Sequence, residues 1–319
     1  MSHKHICYLC FSVNTGFIGR NIDFDSHIYV CNNCGLIQND FVSNFYLDSY
    51  YHKKYREIRN ESISDSYLEF MALRAASQNE FIVKNIPNIL EISSVLDIGA
   101  SAGKLLETFK VQAALYAVES DLAMRNYMQY IDLITVIDDS ELFNVNRNFD
   151  LITMSHVFEH INNPLEYLYR LHQIVSQGGF VFIEIPNEPI RLVAHNVLKK
   201  KKGIGHLFDY TIDTFKQMIA KSNLFDVVAL TTYSVSVEDY LKGASIRNFE
   251  ENKRGDGIHI RALLKRKDST ELKQERQYID AVLQNQYRKQ LIAERRSEIL
   301  LLGLEKIRLS LLAAKSLLK

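Results

Sequence analysis

Residues 91–265 alternate short apolar runs with segments of helical spacing, and this alternation constrains the fold more than any other feature of the sequence. Five apolar runs of strand length are separated by amphipathic segments such as AGKLLETFK and PLEYLYRLHQIV. The five runs are SVLDIGA, ALYAVES, LITVID, FDLITMSHV and GGFVFIEIPN. Strands that alternate with helices predict an α/β fold with a doubly wound, mainly parallel sheet.

Two further strands are predicted after these five. The segment DTFKQMIAKSN has helical spacing, and it is followed by the apolar runs FDVVALTTYSV and GIHIRALLKR. The stretch between those two runs, residues 238–256, is polar and predicts a loop. The sequence therefore predicts seven strands in the main sheet.

Four regions of different composition divide the chain. Residues 1–45 contain short strand-like pieces around cysteines and predict a small metal-binding module. Residues 46–90 predict a helical linker or lid, and residues 91–267 hold the α/β domain. Residues 268–319 contain no proline and a single glycine, so they predict a long helical tail.

Composition and charge exclude several classes of protein. The chain has 319 residues, of which 47% are hydrophobic, which is enough for a folded globular core. Lysine plus arginine and aspartate plus glutamate number 38 each, and this balance argues against a general nucleic-acid binder. The start of the chain lacks the apolar run of a signal peptide, and we expect no membrane span, so a cytoplasmic enzyme is expected.

A glycine-rich turn follows the first strand of the α/β region and allows two interpretations. Gly99 to Gly103 reads G-x-S-x-G, which occurs around the nucleophilic serine of hydrolases. However, such a serine normally follows several strands, whereas Ser101 follows the first strand of the sheet. Asp97 precedes the turn and Glu119 ends the next strand, where an acid can accept hydrogen bonds from both ribose hydroxyls. The spacing is not G-x-G-x-x-G, so a nucleoside cofactor without a pyrophosphate is favoured.

Over about residues 91–265 the sequence resembles the class I S-adenosylmethionine-dependent methyltransferases. The resemblance is carried by VLDIGASAGKLL, YAVESD, FDLITMSHVFEHINNPLEYLYRLHQIVSQGGFVFIEIPN and GHLFDYTIDTFKQMI. It implies a seven-stranded Rossmann-like sheet whose last strand, GIHIRALLKR, runs antiparallel. It implies that Asp97, Gly99 and Gly103 line the methionine side of the cofactor and that Glu119 holds the ribose. It also implies that Asp138 or Asp139, after the third strand, lies beside the adenine. Ser101 and Ser155 are the remaining residues expected at the cofactor.

All four cysteines fall into two C-x-x-C pairs. Cys7 and Cys10 form the first pair and Cys31 and Cys34 the second, with twenty residues between the pairs. Two such pairs bring four thiolates to one tetrahedron, which predicts a structural Zn²⁺ with no open coordination position. Two disulfides or a redox pair are the alternatives, and a cytoplasmic setting disfavours disulfides.

A cysteine-paired module in front of this domain resembles the deoxysugar C-methyltransferases, which act on nucleotide-linked keto sugars. The chain departs from them in GIGHLFDY, where Gly203 and Gly205 replace a tyrosine and a glutamate beside His206. A helical tail also replaces their second large domain. O-methylation of a sugar-type or other small polar acceptor is therefore expected, for example in surface-polysaccharide or natural-product synthesis, with C-methylation of a keto sugar as the alternative.

Methyl transfer to a hydroxyl requires a base, and histidine titrates near neutral pH. His206 is the first candidate because it follows a glycine-flanked loop after the fifth strand, and the basic run 199–202 precedes that loop. His156 is the second candidate because it lies at the carboxyl end of the fourth strand, where ligands bind in such sheets. The structural alternative for His206 is a loop residue that caps a helix. The structural alternative for His156 is a residue of the cofactor wall.

The tail carries an apolar seam with the spacing of a coiled coil. Its members are Leu300, Leu304, Ile307, Leu311, Ala314 and Leu318. They are four, three, four, three and four residues apart, which is a heptad pattern over less than three heptads. The seam must pack against the same chain, a second copy or another protein, so homo-oligomerisation or docking to a partner protein is expected. A non-catalytic scaffold that works through this tail is the alternative from a different functional class.

Overall fold

The computed structural model describes residues 5–22, 24, 26–40, 63–131, 133–199, 205–246 and 249–268. Three predictions fall wholly or partly outside these residues. They are the heptad seam of the tail, the first part of the helical linker, and the basic run 199–202 apart from Lys199.

The strands of the described residues form two sheets, one of four strands and one of seven. In chain order they are β1 (Thr15–Asn21), β2 (Ser26–Cys31), β3 (Ile37–Asn39), β4 (Ser94–Ile98), β5 (Ala114–Val118), β6 (Ile134–Ile137), β7 (Phe149–Ser155), β8 (Val175–Pro186), β9 (Phe208–Asp209), β10 (Phe225–Ser236) and β11 (Gly257–Arg266).

The seven-stranded sheet has the order β10-β11-β8-β7-β4-β5-β6. The strands β4 to β8 pair in parallel, whereas β11 pairs antiparallel with both β8 and β10. This arrangement confirms the predicted α/β sheet and its antiparallel last strand. The central strands are buried almost throughout, as is typical of parallel strands covered by helices on both faces.

Seven α-helices are described. They are α1 (Asp65–Asn85), α2 (Lys104–Glu107), α3 (Leu122–Gln129), α4 (Pro164–Ile174), α5 (Ile190–Leu198), α6 (Ile212–Ser222) and α7 (Val237–Leu241). Side chains of Ser64, Asp121 and Thr211 accept hydrogen bonds from backbone N–H groups in the first turns of α1, α3 and α6.

The helices cover the seven-stranded sheet on two sides. Residues of α1, α2 and α3, among them Ile82 and Leu106, pack against one face. Residues of α4 and α6, among them Leu168 and Phe215, pack against the other. The connections between strands therefore place the carboxyl ends of β4, β5 and β7 along one edge, where ligands bind in such sheets.

Two helices of the structure were not predicted from the sequence. The first is α5, which follows β8 and buries Leu192 and Val193. The second is α7, which begins at the start of the stretch predicted as a loop, and the Ser236 side chain accepts a hydrogen bond from Asp239 N–H at its first turn. Later in that stretch, Glu251 forms a bridge with Tyr233 of β10.

The four-stranded sheet joins the cysteine-containing segment to the α/β domain. Its order is β1-β2-β3-β9, and its last strand comes from between β8 and α6. Val193 and Val197 of α5 pack against Ile28 and Ile37 of this sheet. The amino-terminal module is thus completed by residues that lie far away in the sequence.

Within the described part of the chain, no helix is long and apolar enough to cross a membrane.

Candidate active site

The glycine turn after β4 has a left-handed backbone at three positions. The φ angles are +76° at Gly99, +49° at Ser101 and +70° at Gly103. A Cβ atom at Gly99 would lie 2.3 Å from Cγ2 of Val157, so both the backbone conformation and the close approach require glycine there. Gly103 begins α2, so the turn ends at the amino terminus of a short helix.

Glu119 ends β5 beside this turn, as predicted. Its Oε2 accepts a hydrogen bond from the backbone N–H of Ser101 at 2.7 Å, and its Oε1 accepts one from Asp121 N–H at 2.8 Å. The two bonds fix the orientation of a half-buried carboxylate between the turn and the start of α3. The hydroxyl of Ser101 lies 2.7 Å from the Tyr67 hydroxyl. This arrangement favours the nucleoside-binding interpretation of the turn over the hydrolase one.

Asp97 provides a second carboxylate, which lies below the turn on β4. The residue is buried, and its Oδ1 accepts a hydrogen bond from the Thr153 hydroxyl at 2.7 Å. Burial, together with the charge of the neighbouring Glu119, raises the pKa of Asp97 to about 7. Such a carboxylate is stabilised in its ionised form by a cationic ligand.

The two acids after β6 differ in what they contact. Asp138 accepts hydrogen bonds from the Ser140 backbone and hydroxyl, and its other oxygen lies 3.3 Å from an Arg125 nitrogen. Asp139 is exposed at the same edge of the sheet. Their expected place beside an adenine remains a prediction.

Ser155, at the end of β7, takes part in a buried polar network with α1. Its hydroxyl oxygen accepts hydrogen bonds from Arg74 at 2.9 Å and from Gln78 at 2.8 Å. Glu184 of β8 accepts from Arg74 Nε at 2.7 Å, and its other oxygen accepts from Arg261 of β11. The Ser155 hydroxyl is thus engaged by the protein, and its expected contact with a cofactor remains a prediction.

The electrostatics of this network follow from full burial. The side chains of Glu184 and Arg261 are both inaccessible to solvent. Burial opposes ionisation of Glu184, but the positive charges of Arg74 and Arg261 outweigh it and hold its pKa well below the usual range. The network therefore joins α1, β8 and β11 directly behind the carboxyl end of β7.

His156 follows β7 with an unusual backbone conformation. Its φ is +56°, and its side chain is 25% exposed. Its Nε2 lies 3.7 Å from Glu184 Oε1 and makes no hydrogen bond with any described residue. Burial and the positive charge of Arg74 hold the pKa of His156 well below its usual range, so the imidazole is neutral at pH 7.

His206 lies deeper and is held by carboxylates. Its Nδ1 lies 2.7 Å from Glu188 Oε2, and Asp209 Oδ1 is 3.7 Å away. Burial opposes protonation, but the charge of Glu188 outweighs it and raises the pKa of His206 to about 10. The first candidate base is therefore a buried, protonated imidazole in this structure, which does not suit proton abstraction.

Glu159 and His160 lie between these two histidines. Glu159 Oε1 is 3.5 Å from His156 Nδ1, 3.8 Å from His160 Nε2 and 3.7 Å from His206 Nε2. Burial raises the pKa of Glu159 to about 7. The carboxylate thus stands among three imidazoles.

The four cysteines form a compact cluster, as their spacing predicts. The Sγ atoms of Cys7 and Cys34 are 3.5 Å apart, and those of Cys10 and Cys31 are 3.4 Å apart. All four sulfurs lie within 4.8 Å of one another. These separations are too long for disulfide bonds and fit four thiolates around one tetrahedral ion.

Several residues of the site were not identified from the sequence. They are Tyr67, Arg74, Gln78, Glu184, Glu188, Asp209, His259 and Arg261. A glutamate inside the apolar run FVFIEIP was a signal that could have drawn attention to Glu184, because an unpaired charge is rarely buried. No local pattern indicates its arginine partners, which lie 110 and 77 residues away in the sequence.

Comparison with known proteins places the α/β region in a known family. A family model described as a methyltransferase domain matches residues 55–230, more than half of the chain. The mitochondrial ubiquinone biosynthesis O-methyltransferase of Dictyostelium discoideum is 26% identical over 141 residues, which are 38% of this chain and 44% of that protein. The chain spans less than half of the length of this relative.

Solved structures are similar at lower identity. The plantazolicin methyltransferase BpumL, solved with a monoazolic desmethylPZN analogue and SAH, has a TM-score of 0.50 and 16% identity, over 70% of this chain and 94% of that one. The magnesium protoporphyrin IX methyltransferase of Synechocystis with bound SAH has a TM-score of 0.47 and 11% identity, over 70% and 100% of the two chains. The similarity to BpumL supports the same Rossmann-like fold.

Proposed function

Because this chain belongs to the methyltransferase-domain family, we propose that it transfers the methyl group of S-adenosylmethionine to an oxygen of a small polar acceptor. We propose a sugar or a nucleotide-linked sugar as the acceptor, in surface-polysaccharide or natural-product synthesis. The observation that carries the proposal is the Glu119 carboxylate, which two backbone N–H groups hold beside the left-handed glycine turn.

The proposed cofactor site uses the residues of this turn. A carboxylate oxygen can accept more than one hydrogen bond, so Glu119 can accept from the ribose hydroxyls while it accepts from the Ser101 and Asp121 backbone. The missing side chain at Gly99 lets the turn pack closely against Val157, which keeps the left-handed backbone beside Glu119. Asp97 supplies a buried negative charge on the side where the methionine ammonium is expected, with Asp138 and Asp139 on the adenine side.

His156 suits the proposed base better than His206 does. The side chain of His156 is 25% exposed and that of His206 is 5% exposed, and His156 Nε2 is a buried atom without a hydrogen-bond partner among the described residues. When bound, S-adenosylmethionine supplies an electrophilic methyl group on a sulfonium. The imidazole of His156 would orient the acceptor hydroxyl and take its proton as the methyl group is transferred.

One observation favours C-methylation of a keto sugar as the second candidate function. The glutamate expected beside His206 is replaced by Gly205, but Glu188 provides a carboxylate at 2.7 Å from His206 Nδ1. A histidine–carboxylate pair is thus present although the local sequence lacks it. In this alternative His206 would first have to release the proton that it holds in this structure before the pair could assist removal of a proton from carbon.

The position of the transferred methyl group distinguishes these candidates. The experiment supplies S-adenosylmethionine carrying a ¹³C-labelled methyl group, with hydroxylated and keto forms of nucleotide-linked sugars as acceptors. A ¹³C shift typical of a methoxy group supports O-methylation. A shift typical of a methyl group on carbon supports the second candidate. No transfer to any acceptor, together with no cofactor binding, supports a non-catalytic scaffold.

We also propose that the four cysteines bind a structural Zn²⁺. The clustering of the four sulfurs supports this assignment, and so does the tight turn at each pair. Such an ion would stabilise β1, β2 and β3 and, through β9, the segment that carries His206. The heptad seam of the tail supports the further proposal that the chain self-associates or docks to a partner protein.

A further inference from the structure

A second group of metal-type ligands lies apart from the four cysteines. Glu159 and His160 belong to the short 3-10 helix Phe158–His160 that follows β7, whereas His206 precedes β9. One carboxylate oxygen and two imidazole nitrogens from these residues lie within 4.8 Å of one another. The distances from Glu159 Oε1 are 3.8 Å to His160 Nε2 and 3.7 Å to His206 Nε2.

The carboxylate of this group has no hydrogen-bond donor. Glu159 is 1% exposed, and neither of its oxygens has a hydrogen-bond partner among the described residues. A buried carboxylate without donors is strongly disfavoured, because burial removes its hydration and nothing replaces it. This observation points to a bound metal cation, because a cation accepts electron pairs from the carboxylate oxygens.

Hydrogen bonds at the Nδ1 atoms of His160 and His206 fix the orientation of the two Nε2 atoms. His160 Nδ1 lies 2.9 Å from the Gly205 carbonyl oxygen, and His206 Nδ1 lies 2.7 Å from Glu188 Oε2. Both partners are acceptors, so each Nδ1 carries the hydrogen. Metal binding would release the proton that His206 holds on Nε2, and each Nε2 would then present a lone pair to the ion. A carbonyl or carboxylate that orients the distal nitrogen of an imidazole is typical of histidines that bind metals.

We propose that Glu159, His160 and His206 bind a divalent transition-metal ion, with His160 and His206 as Nε2 ligands. Two imidazoles and one carboxylate are a known ligand set for zinc and for iron(II), whereas magnesium and calcium prefer oxygen ligands. Ligand bonds of about 2.0–2.2 Å place neighbouring ligand atoms about 3.3–3.5 Å apart in a tetrahedron. The two separations from Glu159 Oε1, 3.8 Å and 3.7 Å, need to close by only a few tenths of an ångström.

The site has an open side and a structural position of its own. His156 Nδ1 lies 3.5 Å from Glu159 Oε1, and the His156 side chain is more exposed than those of the three ligands. A fourth position on that side can take water or an oxygen ligand. The ion would join the 3-10 helix after β7 to the strand that completes the four-stranded sheet. This inference concerns metal binding and does not depend on the proposed methyl acceptor.

The test measures cobalt(II) binding to the full chain after metal removal. We expect each chain to bind two equivalents of cobalt(II). One should show the intense near-ultraviolet bands of thiolate ligands, and the other only weak visible bands. Glu159→Gln should lose the second equivalent and keep the thiolate bands. His27→Ala, which removes an exposed imidazole from the amino-terminal sheet, should keep both.

Further measurements keep the inference testable if Glu159→Gln does not fold. Circular dichroism checks the fold of each variant, and His160→Gln provides a second removal of one ligand. In the wild type, cobalt added after the cysteines are saturated with zinc should raise the melting temperature. A wild-type chain that binds only the thiolate-type equivalent overturns the inference, as does a folded Glu159→Gln chain that retains both. Absence of the thiolate bands alone would count against the cysteine site and not against this one.

Discussion

His156 is the residue on which the proposed proton transfer depends. Its Nε2 is free of hydrogen bonds with described residues, and burial together with the charge of Arg74 holds its pKa well below the usual range. We predict that His156→Ala lowers kcat by about 10²–10⁴-fold, the range for loss of a general base. The affinity for S-adenosylhomocysteine should change little, because the proposed base acts on the acceptor hydroxyl and not on the cofactor.

The control for this prediction is His27→Ala, which removes an exposed histidine. It should leave both kcat and cofactor affinity unchanged. If His156→Ala retains the wild-type kcat while His206→Ala does not, the base has been assigned to the wrong imidazole.

Gly99 allows a prediction that separates backbone strain from lack of space. Gly99→Ala places a Cβ 2.3 Å from Val157 Cγ2 at a φ of +76°. We expect a loss of unfolding free energy of about 1–3 kcal/mol from the crowding, in addition to the strain of the left-handed backbone. Cofactor affinity should fall too, because Ser101 and Glu119 must move with the turn.

Gly243→Ala is the matched control for the strain of the left-handed backbone. Its φ is +96°, but a Cβ there would have no neighbour within 4 Å. Chemical denaturation should show a smaller loss than for Gly99→Ala, and the additional change Val157→Ala should recover part of the larger loss. Equal losses at the two glycines would show that crowding at Gly99 is unimportant.

The residues of the turn could be predicted because they are close together in the sequence. Gly99, Gly103 and the preceding Asp97 form one motif, and Glu119 ends the next strand. The partners of His206 could not be predicted in the same way. Glu188 lies in a different loop, so only the fold brings its carboxylate to His206.

At the scale of elements, the contact of α1 with the sheet depends on one buried charge network. Glu184 of β8 binds Arg74 of α1 and Arg261 of β11. We predict that Glu184→Gln lowers the unfolding free energy at pH 7 by about 3–5 kcal/mol, because it leaves a buried guanidinium unpaired. The exposed pair of Glu238 and Lys242 offers the control, and Glu238→Gln should change stability very little.

The effect of Glu184→Gln should depend on pH. The pKa of Glu184 is lower in the folded chain than its value of about 4.3 in the unfolded chain. Its ionised form therefore stabilises the fold fully above that unfolded value, and this contribution is lost as the pH falls through the folded pKa. Urea denaturation at pH 7 and in acid should show a difference between wild type and variant that narrows in acid. A difference that stays constant would contradict the charge assignment.

The cysteine cluster gives a prediction about the four-stranded sheet. Cys31→Ser should remove one bound metal equivalent and lower the melting temperature, because three thiolates bind a structural ion less tightly than four. Amide hydrogen exchange should become faster in β1–β3 and in β9, which pairs with β3, while β4 to β7 remain protected. Asn33→Ser, an exposed change inside the same C-x-x-C pair, is the control. Uniformly faster exchange across both sheets would contradict this localised role.

Elements with strong local patterns were predicted well, and weakly patterned ones were not. The strands β4 to β8 are long apolar runs, so their burial is visible in the sequence. Strand β9 has only two residues, and its pairing with β3 depends on tertiary contacts. Helix α7 was missed although Ser236 and Asp239 form an amino-terminal capping pattern, because the polar residues after it suggested a loop.

At the scale of the whole molecule, the candidate site lies where the two sheets meet. The glycine turn and Glu119 belong to the edge of the seven-stranded sheet, whereas His206 leads into the strand that completes the four-stranded one. Asn39 of β3 donates a hydrogen bond to the His206 carbonyl at 2.7 Å. The cysteine-containing segment therefore contacts the loop that carries His206, which composition and periodicity did not indicate.

The central claim is that Glu119 binds the ribose of S-adenosylmethionine, and calorimetry of S-adenosylhomocysteine tests it most directly. Hydrogen bonds to a charged group contribute about 1.5–3 kcal/mol each, so Glu119→Ala should weaken binding at least about tenfold. The exposed Glu141→Ala is the control and should bind like the wild type.

A double-mutant cycle with the analogue that lacks the ribose 2′-hydroxyl makes the measurement specific. We predict that the wild type binds this analogue more weakly than it binds S-adenosylhomocysteine. Glu119→Ala should bind the two ligands with equal affinity. Additive losses, or an affinity that Glu119→Ala leaves unchanged, would contradict it.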